Sequence, residues 1–229
     1  MNRSRACGRI STSMNNRPDA VILDVIQPMA NALGPTKHSK HFSESATSMN
    51  SIASLDFERL TDALDTELAS ILPPLADDAD IFGFAVFVPE DAGSAFMTYT
   101  FGRESGITAK PGTVSEGDQR YSPIEWIDTP PSFDNSNDVL ESIVEKFEIM
   151  TENMDDEEAD QAHDKFIDLC ACSAMTALQR RMDTDSFGSI WYRVLMMTDD
   201  SHPVLKQAFE SLNTGRALTE AKFMFEDDA

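Results

Sequence analysis

The sequence lacks several features that would assign the chain to a well-defined functional class. Its 229 residues include only three cysteines, and no apolar run approaches the roughly 20 residues that a membrane-spanning helix needs. It contains no Gly-X-Ser-X-Gly nucleophile elbow and no glycine-rich phosphate-binding pattern. These absences argue against a disulfide scaffold, a membrane protein and the common hydrolase and nucleotide-binding enzymes. The cysteines are expected to be reduced, packed thiols of a cytoplasmic protein that carries no cofactor.

Positive charge is also scarce, and it is unevenly distributed. The chain has 18 basic and 40 acidic residues, a formal net charge of −22. Residues 1–41 hold six basic and two acidic residues, whereas residues 42–229 hold twelve basic and thirty-eight acidic ones. An acidic body repels phosphate backbones, so we expect no binding to nucleic acid, and basic proteins or divalent cations are favoured as partners. High negative charge is also explained by solubility alone.

The composition divides the chain into three parts. Residues 1–50 are rich in serine, asparagine and arginine without a lasting apolar period, which predicts a disordered extension. The arginine-rich start superficially resembles a transit peptide, and Met49 offers an alternative start of translation; the sequence does not separate these readings. The length then suits a single domain over residues 51–214, followed by an acidic tail over residues 215–229.

Apolar periodicity predicts about four helices in the domain. Leucines recur at every fourth position from Leu60 to Leu72, and this first helix is expected to end at Pro73-Pro74. The second covers residues 139–150 with Ser136 and Asn137 as capping candidates. The third begins at Asp155 in an acidic run and ends near two arginines, as the helix macrodipole favours. The last helix ends near residue 212.

Three short apolar runs predict strands. Residues 81–88 are almost wholly apolar, and residues 95–101 alternate after a turn cluster, so the two runs predict an antiparallel hairpin. Residues 190–197 predict a further strand, and residues 102–119 a long loop. The expected fold is therefore α+β, with a small, mostly antiparallel sheet covered by helices.

The segment Arg120-Tyr121-Ser122-Pro123-Ile124-Glu125-Trp126 is the most informative short stretch. Ser122 and Pro123 have the order of an N-cap and a first helical residue, and Glu125 stands where it would complete a capping box. Tyr121 and Trp126 flank this turn as large apolar side chains with polar tips. They form either a structural corner or an aromatic lip around a ligand or partner.

The order of these parts resembles the bacterial uncharacterised-domain family 4303. The resemblance is carried by the strand Phe82-Gly83-Phe84-Ala85-Val86-Phe87, by the Ser-Pro-X-Glu-Trp block that ends at Trp126, and by a later strand that ends in Thr198-Asp199-Asp200. It covers about residues 54–214, with Tyr121 where the family often has tryptophan. The family has no established activity. What the resemblance implies is the fold and, by analogy with neighbours of toxin genes, an immunity-like or other interaction role.

Acidic residues after two of the predicted strands provide an alternative hypothesis. Asp91 follows the first strand, and Asp199 and Asp200 follow the third. If these strand ends were adjacent, the carboxylates could bind Mg²⁺ and support a metal-dependent hydrolase. Turn and helix-capping roles explain the same residues without a metal. Our principal hypothesis is a non-enzymatic module that binds a basic protein, and Tyr121, Trp126, Asp91, Asp199 and Asp200 are the candidate contact residues.

Overall fold

A computed structural model describes residue 52 and residues 54–89, 96–126, 130–197 and 203–225 of the chain. The described elements are α1 (Phe57–Ala76), β1 (Ile81–Phe87), β2 (Thr98–Arg103), α2 (Val114–Tyr121), α3 (Asp134–Thr151), α4 (Asp156–Asp183), β3 (Tyr192–Met196), α5 (Pro203–Leu212) and α6 (Arg216–Glu220). Short 3₁₀ turns cover Glu104–Gly106, Pro123–Glu125 and Lys222–Phe225. The predicted α+β class is confirmed, while the predicted disordered extension lies outside the described residues. No helix in the described part of the chain is long and apolar enough to cross a membrane.

The three strands form one mixed sheet in the order β2-β1-β3. The predicted hairpin is confirmed, since β1 and β2 pair antiparallel. Strand β3 pairs with β1 in parallel, so the sheet has one antiparallel and one parallel pair, whereas a mostly antiparallel sheet was expected. The parallel pairing is possible because α2, α3 and α4 lie between β1 and β3 in the chain and supply the long crossover that parallel strands require.

Helices cover both faces of the sheet. The larger apolar cluster joins one face to α1, α3 and α4, through side chains such as Leu64, Phe84 and Phe166, and it also includes most of the buried side chains of α5. A smaller cluster on the opposite face joins the sheet to α2, α5 and α6. The pairing of β1 with β2 shifts register between Ile81 and Gly83, and Phe82, which lies at this shift, packs in the smaller cluster.

Helix α1 continues where the sequence predicts its end. The prediction that Pro73-Pro74 terminates it is wrong, because both prolines lie inside its last turn. The backbone remains helical there, and the amide of Asp77 donates to the carbonyl of Pro73 at 3.1 Å. Leu72 is fully buried in the larger cluster, so tertiary packing holds this turn despite the lost amide donors.

Residues 102–119 are not the long loop that was expected. Helix α2 begins within them, and its N-cap Thr113 accepts a hydrogen bond from the amide of Glu116 at 3.3 Å. This helix exposes Val114 and buries only Tyr121, so its sequence shows almost no apolar period. The C-terminal segment was expected to be only an acidic tail from residue 215, but α6 forms there and Ala217 and Ala221 are buried.

Two capping predictions are also wrong, the first of them in part. Ser122 does stand at the N-cap of a short helical turn with Pro123 at its start, as predicted, but the turn is 3₁₀ and the side chain of Ser122 makes no capping hydrogen bond. Ser136 lies inside the first turn of α3, where its amide donates to Glu67 at 2.9 Å and its hydroxyl donates to the same carboxylate. A carboxylate distant in sequence therefore supplies the cap that was assigned to local side chains.

Helix α4 follows its prediction closely. Asp155 is its N-cap and accepts from the amide of Glu158 at 2.9 Å. Cys170 is buried and Cys172 half-buried, and both are free thiols, as expected. Two salt bridges join the end of α4 to α1. Arg180 bonds Asp62 at 2.7 Å, and Arg181 donates one hydrogen bond of 2.8 Å to Asp65, with a second ion-pair contact of 2.6 Å between Nε and Oδ1.

Candidate functional site

Tyr121 and Trp126 meet on the second face of the sheet, within a group of aromatic side chains. Their ring centroids lie 5.4 and 5.9 Å from that of Tyr192, and that of Trp126 lies 5.6 Å from that of Phe82. We call this group the aromatic cluster. Its members are Phe82, Tyr121, Trp126, Trp191, Tyr192, Phe209 and Phe223. The structure thus brings together both tryptophans of the chain, which are 65 positions apart in sequence.

Trp126 lies against two glycines that face each other across β1 and β2. Gly83 pairs with Gly102, and a Cβ atom added at either position would lie 2.5 or 2.8 Å from the indole ring. The indole Nε1 donates to the carbonyl of Gln119 at 3.2 Å. Trp126 is therefore held both by its ring and by its polar tip, which is the arrangement of a structural corner.

Tyr121 has little surface to offer a ligand. It is 6% exposed, its hydroxyl donates to Glu220 Oε2 at 2.7 Å, and its carbonyl accepts from the hydroxyl of Tyr192 at 2.9 Å. Burial raises the pKa of both phenols above the ordinary value. Both tyrosines therefore stay neutral at physiological pH, where each serves as a hydrogen-bond donor.

Charged side chains border the aromatic cluster. Arg120 bonds Glu104 at 2.7 Å and Glu116 at 3.3 Å, and Arg216 bonds Glu220 at 2.9 Å. The bond from Arg216 lowers the pKa of Glu220; burial opposes this shift, and the bond from Tyr121 adds to it. A crevice of about 220 Å³ separates α2 from α6 at this border. Its two arginines and two glutamates neutralise one another, so it favours neither an anion nor a cation.

The aspartates of the metal hypothesis, Asp91, Asp199 and Asp200, all lie outside the described residues. Within the described ranges, no group of three or more His, Cys, Asp or Glu side chains could hold a metal ion. Burial raises the pKa of the Cys170 thiol, which disfavours the nucleophilic thiolate. His163 packs near the ring of Phe147, with centroids 6.3 Å apart, on the side of α4 that faces α3.

A second surface was not identified from the sequence as a candidate site. Residues 134–168 contain thirteen acidic residues and two lysines, and eleven of the acids are exposed. We call these eleven the acidic face: Asp134, Asp138, Glu141, Glu145, Glu148, Glu152, Asp155, Asp156, Glu157, Asp160 and Asp164. The charge run was visible in the sequence, but only the part that opens α4 was noted there.

The acids of α3 differ from those of α4 in their relation to the helix dipole. Asp156, Glu157 and Glu158 occupy the first turn of α4, where negative charge is stabilising. Glu148 lies in the last turn of α3 and Glu152 at its C-cap, where negative charge is unfavourable, and no basic residue occupies that turn. Acids three and four positions apart along α3 also repel one another. Local helix stability therefore explains the charge of α4 but not that of α3.

An apolar side chain lies within the acidic stripe of α3. Ile149 is 72% exposed and out of phase with the buried positions of the helix, which include Ile143 and Phe147. Together with Leu55, Met150 and Lys146 it lines a groove of about 370 Å³ between α3 and the residues that directly precede α1. An isoleucine that breaks the helical period was the signal in the sequence that could have revealed this surface.

Comparison of the chain with protein-family models, with curated proteins and with solved structures finds no match. The geometry of the two surfaces is therefore the basis for assigning a function.

Proposed function

We propose that this protein is a non-enzymatic module that binds a basic surface of another protein through its acidic face. The observation that carries the proposal is the row of exposed acids along α3 from Asp138 to Glu152, which repel one another and of which Glu148 and Glu152 also oppose the helix dipole. Natural proteins break local stability rules of this kind at functional sites. A basic partner would neutralise this charge and relieve the repulsion.

The groove beside Ile149 gives the surface the composition of a protein interface. Interfaces combine an apolar centre with a polar rim, and charge complementarity speeds association and selects partners. Here the exposed isoleucine is the centre and the acids of α3 form the rim. A phosphate backbone would be repelled, so we propose a protein partner rather than nucleic acid.

The resemblance to family 4303 adds one specific form of this proposal. An immunity-like protein would mask a basic toxin surface, and an acidic face is suited to that task. Two free thiols, Cys170 and Cys172, support a reducing compartment such as the cytoplasm. We keep family membership, immunity role and cytoplasmic location as parts of the proposal.

The test compares two full-length variants with the same change in net charge. One replaces Glu145, Glu148 and Glu152 by glutamine. The matched control replaces three exposed acids elsewhere by their amides: Asp118, Asp183 and Glu210. Proteins captured from a cell lysate by the unsubstituted chain are purified, and their binding to each variant is titrated.

We expect the α3 variant to lose binding by about tenfold or more, because several close charge pairs are removed, while the control changes little. The affinity should fall between about 0.1 M and about 1 M salt, where the screening length shrinks from about 10 to about 3 Å. The free energy of unfolding of the α3 variant should exceed that of the parent by about 0.5 kcal/mol, because repulsion along the helix is removed. Equal losses in both variants, binding that ignores salt, or capture of no basic protein would each refute the proposal.

A further inference from the structure

The C-terminal segment, residues 216–225, covers part of the aromatic cluster through few buried side chains. Within residues 216–224, only Ala217 and Ala221 are buried, while Phe223 is 50% exposed and Met224 is 38% exposed. Alanine removes little apolar area from water, so these two contacts stabilise the segment weakly. Helix α6 has five residues, too few to be stable without tertiary support.

Apart from Leu218, which is half-buried and packs against the smaller cluster, the remaining contacts of the segment with the domain are polar or lie at its surface. The hydroxyl of Tyr121 donates to Glu220 at 2.7 Å, and Arg216 lies 4.0 Å above the ring of Trp191. Phe223 packs edge-on to Tyr121, with centroids 5.8 Å apart. The crevice of about 220 Å³ between α2 and α6 leaves the rest of this boundary without close packing.

The segment begins shortly after Asn213, a residue that is held by three hydrogen bonds. Asn213 is buried, and its side-chain amide accepts from the amide of Arg193 at 2.9 Å and donates to the carbonyls of Arg193 and Phe209 at 2.5 and 2.9 Å. Two residues later, Gly215 adopts a positive φ of 51° with no atom within 4 Å of an added Cβ. A rigid anchor followed by a glycine provides a boundary at which motion of the segment need not disturb β3 or α5.

We propose that residues 216–225 form a cover that opens while the rest of the domain stays folded, and that opening exposes the ring faces of Trp191 and Tyr121. The large side chains beneath it belong to elements held by other contacts: Tyr192 lies in β3 and packs on Phe209 of α5. The cover itself must order about ten residues for a small buried area, and the entropy of those residues favours opening. Local opening of this kind has a lower free energy than global unfolding.

Hydrogen exchange of the full-length protein, read by mass spectrometry, tests the proposal. The amides of Thr219, Ala221 and Met224 are bonded to carbonyls within or next to the segment, so they are protected only while it stays folded. We expect them to exchange at least about 100-fold faster than the buried amides of α4, as locally opening segments do. Protection equal to that of α4 would show that the segment unfolds only with the whole domain, and would overturn the proposal.

Two substitutions separate a cover from a loosened domain. Tyr121→Phe removes the hydroxyl bonded to Glu220 but leaves the backbone carbonyl that Tyr192 uses. Tyr99→Phe makes the same chemical change on the opposite face of the sheet and is the matched control. Tyr121→Phe should speed exchange of the cover by about 3- to 10-fold without changing α4, and should increase acrylamide quenching of tryptophan fluorescence. Equal acceleration in both variants, or acceleration of α4 as well, would overturn the proposal.

Discussion

The contact between Trp126 and the glycine pair predicts a specific cost for one added methyl group. In Gly83→Ala the new Cβ would lie 2.5 Å from Cη2 of the indole, whereas carbon atoms in contact are normally separated by about 3.5–4.0 Å. The ring must therefore move by roughly 1 Å or more, and overpacking of this kind costs about 1–3 kcal/mol. Alanine is favoured over glycine in a strand by about 0.5–1 kcal/mol, which leaves a net destabilisation of about 0–2.5 kcal/mol with a central value near 1 kcal/mol.

The measurement is urea unfolding followed by circular dichroism and by tryptophan fluorescence. A loss of about 1 kcal/mol should lower the urea midpoint by roughly 0.3–1 M, since the free energy of unfolding falls by about 1–3 kcal/mol per molar urea. The fluorescence of the folded state should also change, because displacement of the ring weakens the bond from Trp126 to the carbonyl of Gln119. Gly106→Ala is the control, since no atom lies within 4 Å of its added Cβ.

A double-mutant cycle tests the cause. Adding Trp126→Leu to Gly83→Ala removes the obstructing ring, so the pair should cost at least about 0.5 kcal/mol less than the sum of the single substitutions. If the two losses of unfolding free energy were additive, or if Gly83→Ala were as stable as Gly106→Ala, the reasoning that the indole ring requires glycine at position 83 would be refuted.

Three further outcomes are expected. Asn213→Asp should destabilise the domain by about 1–3 kcal/mol in chemical unfolding, because a carboxylate cannot donate to the two carbonyls that the amide now serves. Arg181→Met should lower the free energy of unfolding by about 1–3 kcal/mol, because it leaves the half-buried Asp65 without its ion-pair partner. Adding Asp65→Asn to the same chain should restore part of this stability. Burial raises the pKa of all three tyrosines. As pH rises above about 10, the unfolded state therefore releases these protons before the folded state does, and the free energy of unfolding should fall. Ultraviolet titration should show phenolate appearing together with unfolding. The phenols concerned are Tyr99, Tyr121 and Tyr192.

The elements with strong patterns could be predicted from the sequence, and those held by tertiary contacts could not. Helix α4 has an acidic start, two arginines at its end and a buried stripe, so its position followed from local rules. Helix α2 exposes most of its side chains and is held by Thr113 at its start and by the burial of Tyr121 at its end. The start of α3 is likewise capped by Glu67, a residue 69 positions before Ser136.

The candidate surfaces were likewise predicted in part from the sequence and in part decided by tertiary contacts. Tyr121 and Trp126 were recognised as an aromatic pair beside a proline turn, but their burial depends on Glu220 and Gln119, to which they donate hydrogen bonds. The acidic composition was visible at once. The end of α3 was predicted near residue 150 and lies at Thr151, so the unfavourable position of Glu148 and Glu152 relative to its dipole could have been recognised from the sequence. The exposure of Ile149 beside these acids was decided by the tertiary structure.

The order of residues alone determined the α+β class, the hairpin of β1 and β2, and the excess of negative charge, because periodicity, turn residues and net charge are local or additive properties of a chain. Only the tertiary structure decided that β3 runs parallel to β1, that α1 continues through Pro73 and Pro74, and that the last described residues fold over Trp191. Those features depend on contacts between segments far apart in sequence, where packing outweighs local preference.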